Sequence, residues 1–150
     1  MPVDVETAIE INRPRAEVAA FAADPDNGTA WYVNITSVEW VTPPPLAVGS
    51  RLAFVAEFLG RRIAYTYEVR ELVPGRRFVM STDRPFPMET SYSWEDTLSG
   101  GTRMVLRNRG VPSGFSRVTA PAMAAAMRRA NVKDLQRLKE VLEVGSGRSR

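Results

Sequence analysis

Histidine and cysteine are both missing from this 150-residue sequence, and the two absences remove much familiar enzyme chemistry at once. Without thiols there are no disulfides and no thiolate metal sites, a composition compatible with a reducing cytoplasm. Without imidazole, the usual neutral-pH base and the commonest metal ligand are gone. Neither a metal nor a cofactor is implied. Phosphate-cradling loops are lacking too: no GxGxxG occurs, and no GxxxxGK followed by Ser or Thr. No apolar run approaches the roughly 18–20 residues that a membrane span needs. The start, Met1-Pro2-Val3-Asp4, has no basic region followed by an apolar stretch, so no signal peptide is expected. Lysine is scarce, outnumbered 18 to 2 by arginine, which reads as a genomic base-composition bias rather than a binding signature.

What is present describes an ordinary globular chain, 44% hydrophobic and 25% charged. One domain over residues 1–144 is expected, long enough for a real core. The pI of about 9.7 invites a nucleic-acid partner, but the net charge is only +3. Arg148 and Arg150 lie in a Gly/Ser stretch, residues 145–150, that composition marks as a disordered tail. Setting those two charges aside leaves +1 on the rest. Basic residues also alternate with acids along most of the chain instead of forming one block. The charge pattern therefore argues against nucleic-acid binding, and it leaves a homodimer open.

Alternation organises the middle of the sequence. Val3, Val5, Thr7, Ile9 and Ile11 alternate with polar residues, the period of a half-buried strand. Pro14 suits a first helical turn, and Ala16 to Ala23 reads as a short helix with Val18 and Phe21 inward. Asp24-Pro25-Asp26-Asn27-Gly28 breaks it, and Thr29 to Val33 forms a further helical turn carrying Trp31 and Tyr32. Strand signals then run from Ile35 to about Arg109, punctuated by turns at Pro43-Pro44-Pro45, Gly60-Arg61, Pro74-Gly75 and Ser99-Gly100-Gly101. Such meandering hairpins favour one antiparallel sheet. Last comes a long helix ending near Glu143, with Met123, Met127, Leu135, Leu138 and Leu142 on one face and Arg128, Arg129, Lys133 and Arg137 opposite.

The expected architecture is α+β: about seven curved antiparallel strands wrapped on the long C-terminal helix, with two short helices after strand 1. In that phase Phe54, Phe58, Tyr65, Tyr67, Met80, Tyr92, Trp94, Met104 and Leu106 face the concave side. Met123 and Met127 face them from the helix, and Trp31 joins them from the second short helix. Such a lining suits a flat or greasy ligand of modest size. Asn108 and Asn131 are the sharper signals, because each falls in the inward phase and a buried amide needs a partner. Glu57 and Glu68 fall on the outward phase. Glu71 and Asp96 fall inward, near strand ends. No two carboxylates are paired at a helical or strand spacing, and no catalytic set emerges.

The order of elements resembles the START-like superfamily, the helix-grip fold shared with birch-pollen-allergen-type proteins. Ile9-Glu10-Ile11-Asn12-Arg13-Pro14 leading to Val18 and Phe21, and Asp24-Pro25-Asp26 followed by Trp31, are similar to the opening of its bacterial polyketide cyclase/dehydrase-like branch. Gly49-Ser50-Arg51, Val73-Pro74-Gly75-Arg76-Arg77-Phe78 and Gly100-Gly101-Thr102-Arg103 resemble its turns. The resemblance covers residues 3–143 and implies a fold with an internal cavity. It leaves function open, because the superfamily includes cyclases, lipid and hormone binders, and chaperone activators. Three readings follow: a binder of a hydrophobic or aromatic small molecule, a cyclase/dehydratase-like enzyme using the same cavity, and a protein-interaction module.

Overall fold

The computed structural model describes residues 2–115 and 118–148, with side chains up to residue 144. The tail expected over residues 145–150 falls on positions 149 and 150, outside the described residues, and on four more whose side chains are also outside them.

Strand β1 (Val3–Ile11) leads into helix α1 (Arg15–Ala23), a 3-10 turn at Pro25–Asn27 and helix α2 (Gly28–Trp31). Six strands follow: β2 (Ile35–Trp40), β3 (Arg51–Phe58), β4 (Arg61–Val73), β5 (Arg77–Thr82), β6 (Met88–Asp96) and β7 (Thr102–Gly110). Helix α3 (Ala120–Arg148) closes the order. All seven strands form one sheet in the order β1-β7-β6-β5-β4-β3-β2, and every neighbouring pair is antiparallel. The expected curved sheet gripping one long helix is therefore the fold observed.

Local chemistry explains the main turns. Pro14 precedes α1 in extended conformation, and Pro121 sits in the first turn of α3, where a missing N–H costs no helical bond. The tip of the β3–β4 hairpin is Leu59-Gly60, one residue earlier than the spacing suggests, and both residues have positive φ (52° and 75°). Two left-handed residues match the right-handed twist of the strands they join.

One expectation fails for an identifiable reason. Glu71 was expected to face inward, but the β4–β5 register shifts between Val69 and Glu71. The extra residue of this bulge moves the alternation by one position. Leu72 therefore packs on the core, while Glu71 reaches solvent and pairs with Arg77 at 3.0 Å. Asp96 also lies outside, 3.1 Å from Arg15 at the very end of β6.

The apolar interior consists of two clusters. The larger gathers Trp31, Phe78, Tyr92, Trp94, Met104, Leu106, Leu135 and Leu138 between the sheet, the short helices and the C-terminal half of α3. The smaller gathers Val3, Val5, Ile63, Phe86, Phe115 and Met123 at the other end. Tyr65 and Met88 touch both. Between the clusters the interior is hollow.

Candidate functional site

The hollow is a partly open cavity of about 160 Å³. Phe54, Phe58, Ile63, Tyr65 and Tyr67 line it from β3 and β4, Met88 and Thr90 from β6, and Asn108 from β7. Helix α3 supplies Met127, Ala130, Asn131 and Asp134, and Tyr32 closes the side nearest the short helices. The aromatic wall is ordered by its own contacts. Tyr65 stacks on Phe54 at 5.4 Å between ring centroids, and Tyr67 meets both edge-on. At the far end Phe58 and Phe86 meet Phe115 edge-on. Arg61 holds that end from outside, its guanidinium 5.2 Å from the Phe115 ring and its Nη1 donating to the Ser113 carbonyl at 2.6 Å.

A polar relay crosses this apolar chamber at one level. Thr90 and Asn108 are direct cross-strand partners on β6 and β7. The Thr90 hydroxyl donates to Asn108 Oδ1, and Asn108 Nδ2 donates to Asn131 Oδ1 at 3.0 Å. Since the one Thr90 proton is used on an oxygen that only accepts, the Tyr67 hydroxyl donates to Thr90 Oγ1 across their 2.7 Å contact. All donors thus run toward α3. The last group, Asn131 Nδ2, is buried and has no partner among the described residues. Leaving such a group unpaired costs about 1–3 kcal/mol, so the relay ends in an unspent donor beside the cavity.

Asp134 lies one helical turn beyond Asn131 and is 6% exposed. Its Oδ1 accepts the Val33 backbone N–H at 2.8 Å. Burial raises its pKa to about 7, against the opposing pull of the Val33 bond and of the Arg137 charge. It therefore exchanges a proton near neutrality, in a protein without histidine. Burial likewise holds the Tyr65 phenol well above its usual range and pushes Tyr67 up to about 12, so both stay neutral. The one cationic side chain on the wall among the described residues is Arg109, which is engaged by Glu89 at 2.9 Å.

Of the residues the sequence put forward, Phe54, Phe58, Tyr65, Tyr67, Asn108, Met127 and Asn131 line the cavity together. Trp31, Met80, Tyr92, Trp94, Met104 and Met123 face inward but are packed in the two clusters away from it, each no more than 2% exposed. Alternation gives the face a side chain points to. It does not say whether another side chain meets it there. Tyr32, Phe86, Phe115, Thr90 and Asp134 were not singled out. Thr90 and Asp134 had a readable signal: Thr90 continues the Tyr92, Trp94 phase, and Asp134 continues the Met127, Asn131 stripe. Among the described residues no group of three or more Asp or Glu side chains could hold a metal ion, and no helix is long and apolar enough to cross a membrane.

A sheet gripping a single helix around a lined cavity defines the helix-grip, START-like class. Residues 2–143 match the family described as polyketide cyclase / dehydrase and lipid transport, and the chain belongs to that family. No curated protein matches it. Solved structures agree on the fold. The Zhui aromatase/cyclase from a Streptomyces species superposes with a TM-score of 0.78 at 16% identity, covering 95% of this chain and 94% of that one. A START superfamily protein from Mycobacterium smegmatis gives 0.80 at 12% identity, covering 93% and 97%. A Thermus thermophilus protein gives 0.80 at 19% identity, covering 95% and 99%. At such identities the likeness speaks for fold alone.

Proposed function

We propose that this chain binds a hydrophobic or aromatic small molecule, polyketide- or lipid-like, inside the cavity. It would do so as a single START-like domain in the cytoplasm. The observation that carries the reading is Asn131 Nδ2, unpartnered among the described residues, at the end of a fully directed relay in a chamber walled largely by aromatic and aliphatic side chains. A ligand carbonyl or phenol oxygen would complete the relay, and the rings would cover its apolar body. Phe54, Phe58, Tyr65, Tyr67, Asn108, Met127 and Asn131 are the contact residues in this reading. An open interior is not what the interaction-module alternative calls for.

The test is native mass spectrometry of protein from its own host, followed by a thermal-shift screen against hydrophobic and polyketide-like compounds. A co-purified mass, or a Tm rising with ligand concentration as linkage requires, is expected. Filling the chamber with Ala56→Trp, at a wall position, should abolish the shift and leave the fold intact. A Tm response that survives this substitution would move the ligand elsewhere.

Asp134 favours a second reading, an enzyme of the cyclase/dehydratase type. Its ionised carboxylate would take a proton from a carbon flanked by two carbonyls, and the resulting enolate would add to another carbonyl of the same chain. The neutral acid would then return its proton to the alkoxide formed. Turnover of a poly-β-ketone mimic, lost in Asp134→Asn, tests this. Binding without product leaves the first reading in place.

A further inference from the structure

The cavity's charges are unbalanced in one direction. Among the described residues, the buried Asp134 carboxyl has one hydrogen bond, to the Val33 backbone, and no side chain forms an ion pair with it. The groups around it do not neutralise it. Arg137, on the same helix, is exposed and attracts it only at a distance. Tyr65 from β4 and Tyr92 from β6 are neutral phenols. Arg109 on β7 is spent on Glu89. A ligand bringing an anion would add a second negative charge to a wall with no free cation among the described residues. A ligand bringing a cation would find its counter-ion waiting, in a cavity that Tyr65 and Phe54 also line, and aromatic rings attract positive charge.

From this we infer that the preferred ligand carries a protonated basic nitrogen on an aromatic body, with the ammonium set against Asp134 and an acceptor oxygen against Asn131 Nδ2. The inference rests on the ligand-binding reading and specifies the polar end of the ligand. Side chains three positions apart on a helix stand about 5–6 Å apart at Cβ, which sets the spacing between the two polar groups. Binding a cation requires the ionised acid. With Asp134 titrating at about 7 in the free protein, affinity for an amine rises as pH rises through that value. From about pH 6 to about pH 8 the ionised fraction grows about tenfold, and the amine stays protonated throughout. A neutral ligand, which buries the carboxyl further, gains affinity in the opposite direction.

The experiment compares three molecules with one naphthalene body: 2-(1-naphthyl)ethylamine, 2-(1-naphthyl)ethanol and 1-naphthylacetate. Each is titrated calorimetrically at about pH 6 and about pH 8. The expected result is amine tightest at the higher pH, with its affinity about tenfold weaker at the lower one, and acetate weakest. In Asp134→Asn the amine should lose its advantage over the alcohol and its pH dependence together. Alcohol equal to or tighter than the amine, or amine binding indifferent to pH, would overturn the inference and leave the cavity reading standing. If none of the three binds, the inference and the cavity reading fail together. The wild-type pH dependence stands even if the variant misfolds.

Discussion

The same strands and the same helix build the interior throughout, yet it is solid at the Trp94 end and hollow between there and the smaller cluster at the far end. Along β6 the inward residues run Trp94, Tyr92, Thr90, Met88, and along β7 they run Met104, Leu106, Asn108. Along α3, in the matching direction, come Leu142, Leu138, Leu135, then Asp134 and Asn131, then Met127 and Met123. All three elements change from apolar to polar at one level, the layer of Thr90, Asn108 and Asn131. On the Trp94 side, α1 and α2 press Ala19, Ala22 and Trp31 into the sheet and fill the space. On the other side the wall is finished by Phe86 and Phe115 from loops. A helix-grip sheet thus becomes a container wherever its short helices stop covering it. The polar layer marks that border.

The largest expected effect follows from the contrast in packing. Leu138 is fully buried in the solid end, and Leu138→Ala should cost about 3–5 kcal/mol, since the surroundings relax only in part around the gap. Met127 lines the hollow, so Met127→Ala enlarges a space already open and should cost about 1 kcal/mol. Urea denaturation of both variants measures the difference. Equal losses would mean that the hollow end is as tightly packed as the solid one.

The border was only half legible in the sequence. The period-2 runs fixed the strands and their inward phase, because each side chain in a strand has two choices of side. The amides Asn108 and Asn131 stood out for the same reason. Which inward side chains meet a neighbour and which meet space depends on α1 and α2, elements too short for their placement to follow from periodicity. Trp94 and Tyr65 read identically as strand aromatics, and only the fold separates the packed one from the one on the cavity wall. The β4 bulge is a second limit. Nothing in Tyr67-Glu68-Val69-Arg70-Glu71 announces the register shift that turns Glu71 outward. Asp134 is a different case: it continues the helix stripe of Met127 and Asn131, but the stripe alone does not say whether a carboxyl there is buried or solvated.

The second prediction sharpens the border electrostatically. Asp134 binds its proton more tightly folded than unfolded, with a pKa of about 7 against 3.8. Between those values the folded chain holds more protons, so wild-type stability falls as pH rises through that window. Full ionisation of a shift of this size corresponds to roughly 4 kcal/mol. Asp134→Asn keeps an acceptor for the Val33 N–H and has no charge to bury. Near pH 4 the two proteins should be about equally stable, and by about pH 8 the variant should be ahead by about 2–4 kcal/mol. Denaturation midpoints across that range decide it, and parallel curves would place Asp134 in contact with water.

The smallest effect concerns the hollow end's outer wall. Gly114 has φ +84°, and a Cβ built there would lie 1.5 Å from Arg61 Nη1. Gly114→Ala should therefore cost about 1 kcal/mol in backbone strain. It should also push the guanidinium off the Phe115 ring and away from the Ser113 carbonyl. Arg61 is a flexible side chain at the surface, so the displacement itself is cheap. Its consequence is that Phe115 loses its outer support. The solid end should not register this change, and the Trp94 and Tyr92 environment read by near-UV circular dichroism should stay as in the wild type. Ligand release should accelerate several-fold through the slackened wall, and Arg61→Ala, which removes the same support without the strain, should reproduce the release rate but not the stability loss. If both variants release ligand at the wild-type rate, Phe115 is held by its contacts with Phe58 and Phe86, and the hollow end carries its own packing.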